Sequence, residues 1–382
     1  MSERVIPFVD VSLTEKEREA VLEVLDSKRL IEGKFSKEFE EKFQRFTGVK
    51  HAITCANGTA ALHLAMEAVG LQPGDEVITT PFTFIATSNS ILFVGAVPKF
   101  VDVQSDTWNL DPEKVEEAIT EKTKAIMPVH IFGLPADMKA FRDLADDKNL
   151  ILIEDAAQAH GAKIDGVHAG NFGDIATFSL YATKNLISGE GGVVVTNNEE
   201  LAEKVESLKN HGRTLEGGYK HVRVGFNYRM TDLQGAIASV QMDRLPDLLK
   251  KRSMNAAHYR KIIDDIDDID YQHIPKGFTH ADYIFAIDTR NSKVKPSDAI
   301  EKFKEQNVMA RPIYSTLSYQ QENFRKIQEW RWSRCIKYPE YSKVHCPISE
   351  QIGPNHFEIP IVPSLTDKER QHVGETIRKV FS

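Results

Sequence analysis

Between residues 50 and 197, short β-branched and apolar runs alternate with amphipathic segments, and this alternation restricts the fold more than any other feature of the chain. The runs are HAITC, EVITT, VPKFVDV, AIMPV, LILIE, IATFSL and GVVVTN. Strands that are joined by helical crossovers run parallel, and helices cover both faces of their sheet. The sequence therefore predicts an α/β fold in which a mainly parallel seven-stranded sheet lies between layers of helices.

The segment after about residue 250 has a different character. Charged helical sequence and isolated strands such as DYIFAID replace the regular alternation. We therefore predict a large domain over residues 1–250 and a smaller α+β domain over residues 251–382. The first ~12 residues are free to pack on the smaller domain.

Local signals mark the ends of several helices. Asp111, which is followed by Pro112, is typical of an N-cap with proline at the first helical position. Thr231 and Gln234 have the spacing of a capping box at the start of a long helical segment. We expect Pro246 to kink or end that helix, because proline lacks the N–H that the helix needs.

Composition and charge argue against several classes of protein. The net charge of −8 disfavours a nucleic-acid or anionic-membrane surface, and we expect the basic cluster Lys250–Arg252 to be a solvated helix face. No segment approaches the roughly 18 apolar residues of a membrane span. Cys55, Cys335 and Cys346 form neither a disulfide framework nor a metal pattern. The sequence thus predicts a cytoplasmic protein.

Three loops that follow predicted strands carry polar residues where parallel sheets bind ligands. Gly58 and Thr59 follow HAITC at a helix start, whose free N–H groups favour a phosphate; an ordinary Asn-Gly turn with a cap is the alternative. Asp155 follows LILIE, and its spacing to Gln158 also allows a helix-capping pair. Lys184 follows IATFSL and is either a solvated loop charge or a nucleophile.

One cofactor, pyridoxal 5′-phosphate, would use these three sites together. A lysine amine forms a Schiff base with its aldehyde, an aspartate pairs with its ring nitrogen, and a helix N-terminus holds its phosphate. Other motifs are weaker, since SGEGGV lacks the GxGxxG fingerprint and no P-loop, HExxH or GxSxG motif occurs. The histidines lack metal-ligand spacing, so no metal is predicted. For His130 and His160, near strand ends, a core or loop role is favoured over a substrate contact.

An ordered series of motifs over nearly the whole chain resembles the DegT/StrS-type sugar aminotransferases, within the type I, aspartate-aminotransferase-like fold of pyridoxal-phosphate enzymes. The motifs are GKFSKEFEEKF, ANGTAALHLAM, PGDEVITTPFTFIAT, AIMPVHIFGLPADM, IEDAAQAHGA, FGDIATFSLYATKNLISGEGG, VGFNYRMTDLQGAI and EIPIVPSLTDKE. Such a series is far more specific than any one motif. It implies the large domain with its parallel sheet and the smaller C-terminal domain.

The resemblance also implies roles for single residues. Lys184 matches the lysine that carries the cofactor as an internal aldimine and then moves the proton, and Asp155 matches the partner of the ring nitrogen. The other matches are cofactor contacts: Gly58, Thr59 and Ser179 at the phosphate, Phe84 on the ring face with Phe82 as the less favoured ring, Gln158 near the ring 3′-oxygen, and Asn227 at the phosphate of the neighbouring subunit.

The match at Asn227 implies a homodimer with shared active sites. Arg229, in the same motif, is implied either at the carboxylate of the amino donor or in a structural ion pair. Arg311, Tyr314 and Tyr319 lie in ARPIYSTLSYQQ, a stretch that departs from the versions typical of several relatives. We take these three residues as candidate substrate contacts.

The function that the resemblance implies is transfer of an amino group from glutamate to a nucleotide-linked keto-sugar in amino-sugar biosynthesis. The alternatives are a transaminase for a cyclitol ketone, a cofactor-dependent sugar dehydratase, and a non-catalytic regulatory protein on the same scaffold. Retention of Lys184 disfavours the dehydratase, which carries histidine there in some relatives. EDAAQAHGA is closer to relatives that act at sugar C-3 and GFNYRMTDLQ to those that act at C-4, so the position stays open.

Overall fold

The computed structural model describes residues 4–214, 216 and 218–381. Its strands, in chain order, are β1 (His51–Cys55), β2 (Glu76–Thr79), β3 (Val97–Phe100), β4 (Thr123–Met127), β5 (Ile151–Asp155), β6 (Lys163–Ile164), β7 (Val167–His168), β8 (Ile175–Ser179), β9 (Gly192–Thr196), β10 (Asp270–Tyr271), β11 (Phe278–Thr279), β12 (Phe285–Asp288) and β13 (His356–Ile359). Its α-helices are α1 (Glu15–Ser27), α2 (Lys34–Thr47), α3 (Gly58–Ala68), α4 (Ala86–Phe93), α5 (Pro112–Ala118), α6 (Met138–Lys148), α7 (Glu199–Lys209), α8 (Asp232–Ile263), α9 (Pro296–Glu305), α10 (Glu322–Arg325), α11 (Pro347–Ile352) and α12 (Asp367–Phe381).

The largest sheet has seven strands in the order β1-β9-β8-β5-β4-β2-β3. The strands β8, β5, β4, β2 and β3 run parallel, whereas β9 is antiparallel to both of its neighbours. The prediction of a mainly parallel seven-stranded sheet is confirmed. Because β1 and β8 both oppose β9, they point the same way, so the carboxyl ends of every strand except β9 meet at one edge of the sheet.

Successive side chains of the central strands enter different apolar layers. Ile53 and Val194 pack with α3 and α7 on one face of the sheet. Val193 and Val195 pack with α2 and α8 on the other face, where Ile126 packs with α5 and α6 further along the sheet. Burial on both faces explains why the strand runs in the sequence are almost wholly apolar.

Helix starts follow the predicted capping chemistry. The Asp111 side chain accepts a hydrogen bond from the N–H of Glu113, with Pro112 at the first position of α5. The capping box of Thr231 and Gln234 opens α8. The sequence alone therefore located both starts correctly.

The helix does not end at Pro246, because α8 continues from Asp232 to Ile263; the alternative of a kink at Pro246 stays a prediction. Pro246 lies on the exposed side of the helix, while Leu245 and Leu248 on either side of it are buried. The packing of this apolar face outweighs the one backbone hydrogen bond that proline cannot make.

The expected solvated face at Lys250–Arg252 is only partly correct. Lys250 and Lys251 are exposed, but Arg252 is 6% exposed. Its Nη1 donates to the carbonyl oxygens of Asp282 at 3.5 Å and Tyr283 at 3.1 Å. Arg252 is therefore a buried side chain whose hydrogen bonds link α8 to the C-terminal part of the chain.

The C-terminal part forms its own core around a three-stranded sheet, β10-β12-β13. Ile287 and Phe357 from this sheet pack with Phe303 of α9 and Ile377 of α12. Ile6 enters the same core, and its N–H donates to the Asn307 carbonyl at 2.8 Å. The start of the described chain thus packs on the C-terminal core, as the sequence suggested.

The division at residue 250 remains an interpretation. Helix α8 crosses it, and strand β11 pairs with β6 of the N-terminal part. The segment around α10 also packs on the large sheet, where the Tyr341 hydroxyl donates to the Pro98 carbonyl at 2.9 Å and Phe324 contacts Phe100. Within the described ranges, no helix is long and apolar enough to cross a bilayer.

The start of α2 is held by a carboxylate from another helix. Asp232, the first residue of α8, accepts hydrogen bonds from the N–H groups of Gly33, Phe35 and Ser36 at 3.1, 3.3 and 2.9 Å, and from the Ser36 hydroxyl at 2.9 Å. Asp232 is 5% exposed. One buried side chain therefore satisfies the unpaired donors of α2 and joins α2 to α8.

Replacing this carboxylate should destabilise the fold strongly. We expect Asp232→Ala to lower the free energy of unfolding by roughly 3–5 kcal/mol, because it leaves several buried donors without an acceptor. Asp111→Ala, at an ordinary half-buried N-cap, should cost only about 1 kcal/mol. Urea unfolding followed by circular dichroism measures both, and equal losses for the two variants would contradict the role given to Asp232.

Candidate active site

A cavity of about 990 Å³ opens at the carboxyl edge of the large sheet. Loops after β1, β2, β5 and β8 form one side, and residues 311–314 with Tyr283 form the other. The predicted site residues that line it are Gly58, Thr59, Phe84, Asp155, Gln158, Ser179, Lys184, Arg311 and Tyr314. Residues that are far apart in the sequence are thus gathered around one space, as expected for parallel strands.

The first turn of α3 forms a cradle beside β8. Asn57 caps this helix, because its side-chain oxygen accepts a hydrogen bond from the N–H of Ala60 at 2.8 Å. The N–H groups of Gly58 and Thr59 come before the first intrahelical bonds and have no acceptor within the helix. A Cβ on Gly58 would lie 2.8 Å from the Cβ of Ser179. Only glycine therefore lets the helix start approach Ser179 closely enough to close an anion cradle.

Asp155 lies at the end of β5 and is 3% exposed. The Thr87 hydroxyl donates to its Oδ2 at 2.7 Å, and the N–H of Ala157 donates to its Oδ1 at 3.2 Å. The Thr83 hydroxyl lies 3.0 Å from that of Thr87 and extends this network. Burial raises the pKa of Asp155, against the opposing effects of Thr87 and the Lys184 charge. These hydrogen bonds orient the carboxylate, but burial removes it from water. A nearby cation would stabilise its ionised form.

The helix-capping interpretation of Asp155 and Gln158 is wrong, because no helix begins there. The Gln158 side-chain oxygen instead accepts from the N–H of Phe132 at 2.7 Å, and its Nε2 donates to the Tyr314 hydroxyl at 3.1 Å. Gln158 therefore joins the loop after β4 to the C-terminal side of the cavity.

Lys184 is not a solvated loop charge. It lies in the loop between β8 and β9, is half-buried, and lines the cavity. Its N–H donates to the Tyr181 carbonyl at 2.8 Å, and its Nζ lies 4.3 Å from the centre of the Tyr283 ring. The next residue, Asn185, donates through Nδ2 to the Ala281 carbonyl at 2.7 Å. The loop thus holds the amine inside the cavity.

The two phenylalanines proposed for the ring face have different environments. Phe84 lines the cavity and is 58% exposed. Phe82 is fully buried and packs edge-to-face against Phe132 and Tyr314. Phe84 is the ring that a bound molecule can reach, so Phe82 is a core residue.

Among the candidate substrate contacts, two line the cavity and one does not. Tyr314 stacks on Phe132 with ring centres 5.8 Å apart, and Arg311 forms an ion pair with Glu358. Tyr319 is 3% exposed, and its hydroxyl donates to Glu350 at 2.6 Å in the core beside the large sheet. The expectation that Tyr319 contacts substrate is therefore wrong: its hydroxyl already has a buried partner.

Asn227 and Arg229 lie outside the cavity of their own chain. Asn227 is exposed and forms a backbone bridge with Asn210. Arg229 Nη1 donates to the Asn210 side-chain oxygen at 2.7 Å. The contacts with cofactor or donor that the sequence implied for these two residues are therefore not seen in their own chain.

The two histidines near strand ends are interior residues. His130 Nδ1 accepts from the N–H of Ala136 at 3.1 Å, so its Nε2 carries the proton toward Glu154 Oε2 at 2.9 Å. Burial lowers the pKa of His160 to about 3, so it stays neutral. Neither ring lines the cavity, which agrees with the favoured core role.

Several cavity residues were not found from the sequence. Thr87 and Tyr283 contact the two central groups, and His63 and Tyr181 also line the space. Thr87 lies in the TFIAT motif, at the start of the helix that follows β2. This position after a strand could have identified it as a candidate site residue. Nothing local marks Tyr283, because it enters the cavity from the C-terminal part of the chain.

Comparison with known proteins identifies the family to which this arrangement belongs. The model of the DegT/DnrJ/EryC1/StrS aminotransferase family matches residues 11–378. The chain is 35% identical to a GDP-perosamine synthase of Escherichia coli O157:H7, over 99% of both chains. It is 36% identical to a pleiotropic regulatory protein of Geobacillus stearothermophilus and 34% identical to a UDP-N-acetyl-3-dehydro-alpha-D-glucosamine 3-aminotransferase of Acidithiobacillus ferrooxidans, in each case over 98% of both chains.

Solved structures agree with the sequence comparison. DesV of S. venezuelae, determined with a ketimine intermediate, superposes with a TM-score of 0.90 at 31% identity and 98% coverage of both chains. NtdA of Bacillus subtilis, determined with bound cofactor PMP, has a TM-score of 0.89 at 31% identity, covering 100% of this chain and 86% of its own. The type I fold predicted from the motifs is therefore confirmed.

Replacing Asp155 should have opposite effects on stability and on cofactor binding. Because burial raises its pKa, its contribution to folding is most favourable at low pH and is lost as pH rises through that raised pKa. We expect Asp155→Asn to raise the melting temperature of the cofactor-free protein at pH 8, and the gain to vanish below about pH 4. The affinity for pyridoxal phosphate should fall at least about 30-fold, because a buried charge partner is lost.

Calorimetry and absorbance titration measure the two effects. Glu40→Gln is a matched control, since burial also raises the pKa of Glu40, which lies outside the cavity; its cofactor affinity should not change. A lower melting temperature of Asp155→Asn at pH 8 would show that the ionised carboxylate is already well compensated.

Proposed function

The chain belongs to the DegT/DnrJ/EryC1/StrS aminotransferase family, and on that premise we propose that it transfers an amino group from glutamate to a nucleotide-linked keto-sugar in amino-sugar biosynthesis. One observation carries the proposal: the amine of Lys184, the buried carboxylate of Asp155 and the start of α3 line a single cavity. A space of about 990 Å³ has room for a cofactor and for a sugar beside it.

The residues fit pyridoxal 5′-phosphate, the cofactor of this family. Closure of the cradle requires a residue without a Cβ at Gly58. Within the part of the chain that the structure describes, no cation is hydrogen-bonded to the desolvated Asp155. When bound, the cofactor supplies an aldehyde that accepts the amino group and a ring that withdraws electrons. We place its phosphate at Gly58, Thr59 and Ser179, its ring nitrogen at Asp155, its ring face at Phe84, its 3′-oxygen at Gln158, and its covalent attachment at Lys184 Nζ.

Lys184 then has two tasks in turn. Its Nζ holds the cofactor until the donor displaces it. With the cofactor bound, the released neutral amine would remove the α-proton of the donor and, as the resulting ammonium group, would donate it again, so Lys184 would act first as general base and then as general acid. The two substrates enter one after the other, so ping-pong kinetics should follow.

The substrates enter from the side formed by Arg311 and Tyr314. Arg311 supplies a positive charge in the cavity wall, and Tyr314 supplies a hydroxyl that already accepts a hydrogen bond from Gln158. We propose that these two residues contact the sugar or the donor. The names of the relatives include both a GDP-sugar enzyme and a UDP-sugar 3-aminotransferase, which supports a nucleotide-linked sugar and leaves C-3 and C-4 as alternatives.

A regulatory role is the second candidate function, because the relative from Geobacillus stearothermophilus carries a regulatory name. The presence of Lys184, Asp155 and the α3 cradle together in one cavity favours catalysis over this alternative. A cyclitol ketone remains the competing substrate within the same chemistry. All three cysteines are free, which suits a reducing cytoplasm.

We also propose a homodimer in which each cavity is completed by the other subunit. Asn227 is exposed and does not line the cavity of its own chain. Large apolar side chains are exposed near the cavity mouth and in the segment before Asn227: Phe84, Tyr181, Tyr219, Val222 and Val224. Such exposed apolar surface is typical of an interface, and a twofold axis would bring Asn227 to the partner's phosphate cradle.

The substrate proposal can be tested with a panel of nucleotide-linked 3-keto and 4-keto sugars and a cyclitol ketone, each offered with glutamate. We expect one nucleotide-linked ketone to be converted to its amine, detected by mass, and Lys184→Ala to lower the rate by at least about 10⁴-fold, since it removes the nucleophile and the base together. Borohydride reduction should attach the cofactor mass to the wild-type Lys184 peptide only. A wild type that binds no cofactor would favour the regulatory alternative.

The shared site can be tested by mixing two inactive proteins, Lys184→Ala and Asn227→Ala. Each mixed dimer then contains one cavity with both native residues, so random exchange should restore about a quarter of wild-type activity. Mixing Lys184→Ala with the cavity variant Asp155→Ala is the control and should restore none, because every cavity then lacks Lys184 or Asp155. Absence of recovery with a measured population of mixed dimers would contradict a shared site.

A further inference from the structure

A turn from the C-terminal part of the chain enters the cavity beside Lys184. It consists of Ala281, Asp282 and Tyr283, and Asp282 adopts the left-handed backbone conformation with φ of 47°. The Tyr283 ring lines the cavity, with its centre 4.3 Å from Lys184 Nζ. This is the distance at which an ammonium group is attracted by the face of an aromatic ring.

The turn is bound to the lysine loop on both sides of Lys184. The Thr183 hydroxyl lies 3.0 Å from the Tyr283 hydroxyl, and Asn185 Nδ2 donates to the Ala281 carbonyl at 2.7 Å. These contacts fix the distance between the ring and the lysine. The ring is therefore placed by neighbours of Lys184 and not by Lys184 alone.

Two arginines of α8, the buried Arg252 and the half-buried Arg260, hold the turn from behind. Arg252 donates to the carbonyls of Asp282 and Tyr283 at 3.5 and 3.1 Å, and Arg260 forms an ion pair with the Asp282 carboxylate. Burial lowers the pKa of Arg252 to about 10, which leaves it charged at neutral pH. The N–H of Tyr283 also donates to the Phe132 carbonyl at 3.2 Å, so the turn is held from several directions.

Among the described residues, no carboxylate forms an ion pair with Lys184, and the ring of Tyr283 is its cation-binding neighbour. The distinction matters chemically. A carboxylate would hold the ammonium through its N–H groups and compete with the reacting atoms, whereas a ring face attracts the charge without taking a hydrogen bond. An ammonium group held this way keeps its N–H groups available for donating a proton.

We propose that Tyr283 is a positioning residue that holds the Lys184 amine in place whenever it is not bonded to the cofactor. The inference rests on the proposed function, in which the donor displaces Lys184 and the released amine must remain next to the α-proton. The face of the ring carries this role, and the hydroxyl serves to orient the ring through Thr183. Tyr283→Phe should therefore keep most of the function, and Tyr283→Leu should lose it.

The position of the amine can be observed without any reaction. In the full-length, cofactor-free protein labelled with ¹³Cε-lysine, the NMR signal of Lys184 should show an upfield ring-current shift. This signal is identified by its disappearance in Lys184→Arg. The shift should persist in Tyr283→Phe and disappear in Tyr283→Leu. Lys34, whose Nζ lies 4.8 Å from the centre of the Phe35 ring, gives an internal reference whose signal should not change in either Tyr283 variant.

The kinetic consequence can be measured on the loaded enzyme. We expect Tyr283→Leu to slow the single-turnover reaction with glutamate about 10- to 100-fold, the loss expected for a displaced reacting group, while the KM for glutamate stays within about twofold. Tyr283→Phe should restore most of the rate. Tyr271→Leu is a matched control, since it removes a tyrosine ring beside Arg260, outside the cavity, and it should leave the rate unchanged.

The outcomes separate the two proposals. A wild type that fails to attach pyridoxal phosphate to Lys184 would overturn the proposed function. The wild type could instead attach the cofactor while Tyr283→Leu shows the same Lys184 signal and the same rate as the wild type. That result would overturn only the role given to Tyr283. If Tyr283→Leu does not fold, Tyr283→Met takes its place, because methionine fills similar space without an aromatic face.

Discussion

The burial of Asp155 is the constraint on which the rest of the cavity depends. A carboxylate at the end of a central strand, with 3% of its surface exposed, is costly unless it is oriented and paired. Thr87 and the N–H of Ala157 orient it without neutralising it. The carboxylate is therefore held in one orientation while its charge stays desolvated, which suits the cationic ring nitrogen of the proposed cofactor.

The C-terminal part of the chain forms the side of the cavity that faces the loops of the large sheet. The loops after the strands supply Asp155, the α3 cradle and Lys184, but the opposite wall comes from Tyr283, Arg311 and Tyr314. Hydrogen bonds join the two sides at Gln158 and Asn185. Any change in how the C-terminal part packs would therefore move this wall, while the residues that the sheet loops contribute to the cavity stay in place.

The sequence predicted the sheet side of the site because its determinants are local. A strand run followed within a few residues by Gly58, Asp155 or Lys184 is visible in one short segment, and parallel strands bring such segments to one edge. Tyr319 was assigned wrongly because sequence proximity to Tyr314 does not reveal that its hydroxyl is already bonded to Glu350 in the core. Thr87 lies further from the end of its strand than these residues do, in the helix that follows β2, and was not predicted.

The error at Arg252 and the omission of Tyr283 have one common cause. In the sequence, Arg252 belongs to a basic cluster on a helix, and Tyr283 belongs to a short apolar strand run. Neither local setting shows that the guanidinium donates to the Tyr283 carbonyl, 31 residues away, and so places that ring over Lys184. Local pattern predicts which side chains meet at the carboxyl edge of the sheet, because these side chains follow strands. The geometry that holds this side chain in place comes from pairings between distant segments, and a buried arginine that satisfies backbone carbonyls is the kind of contact that such pairings require.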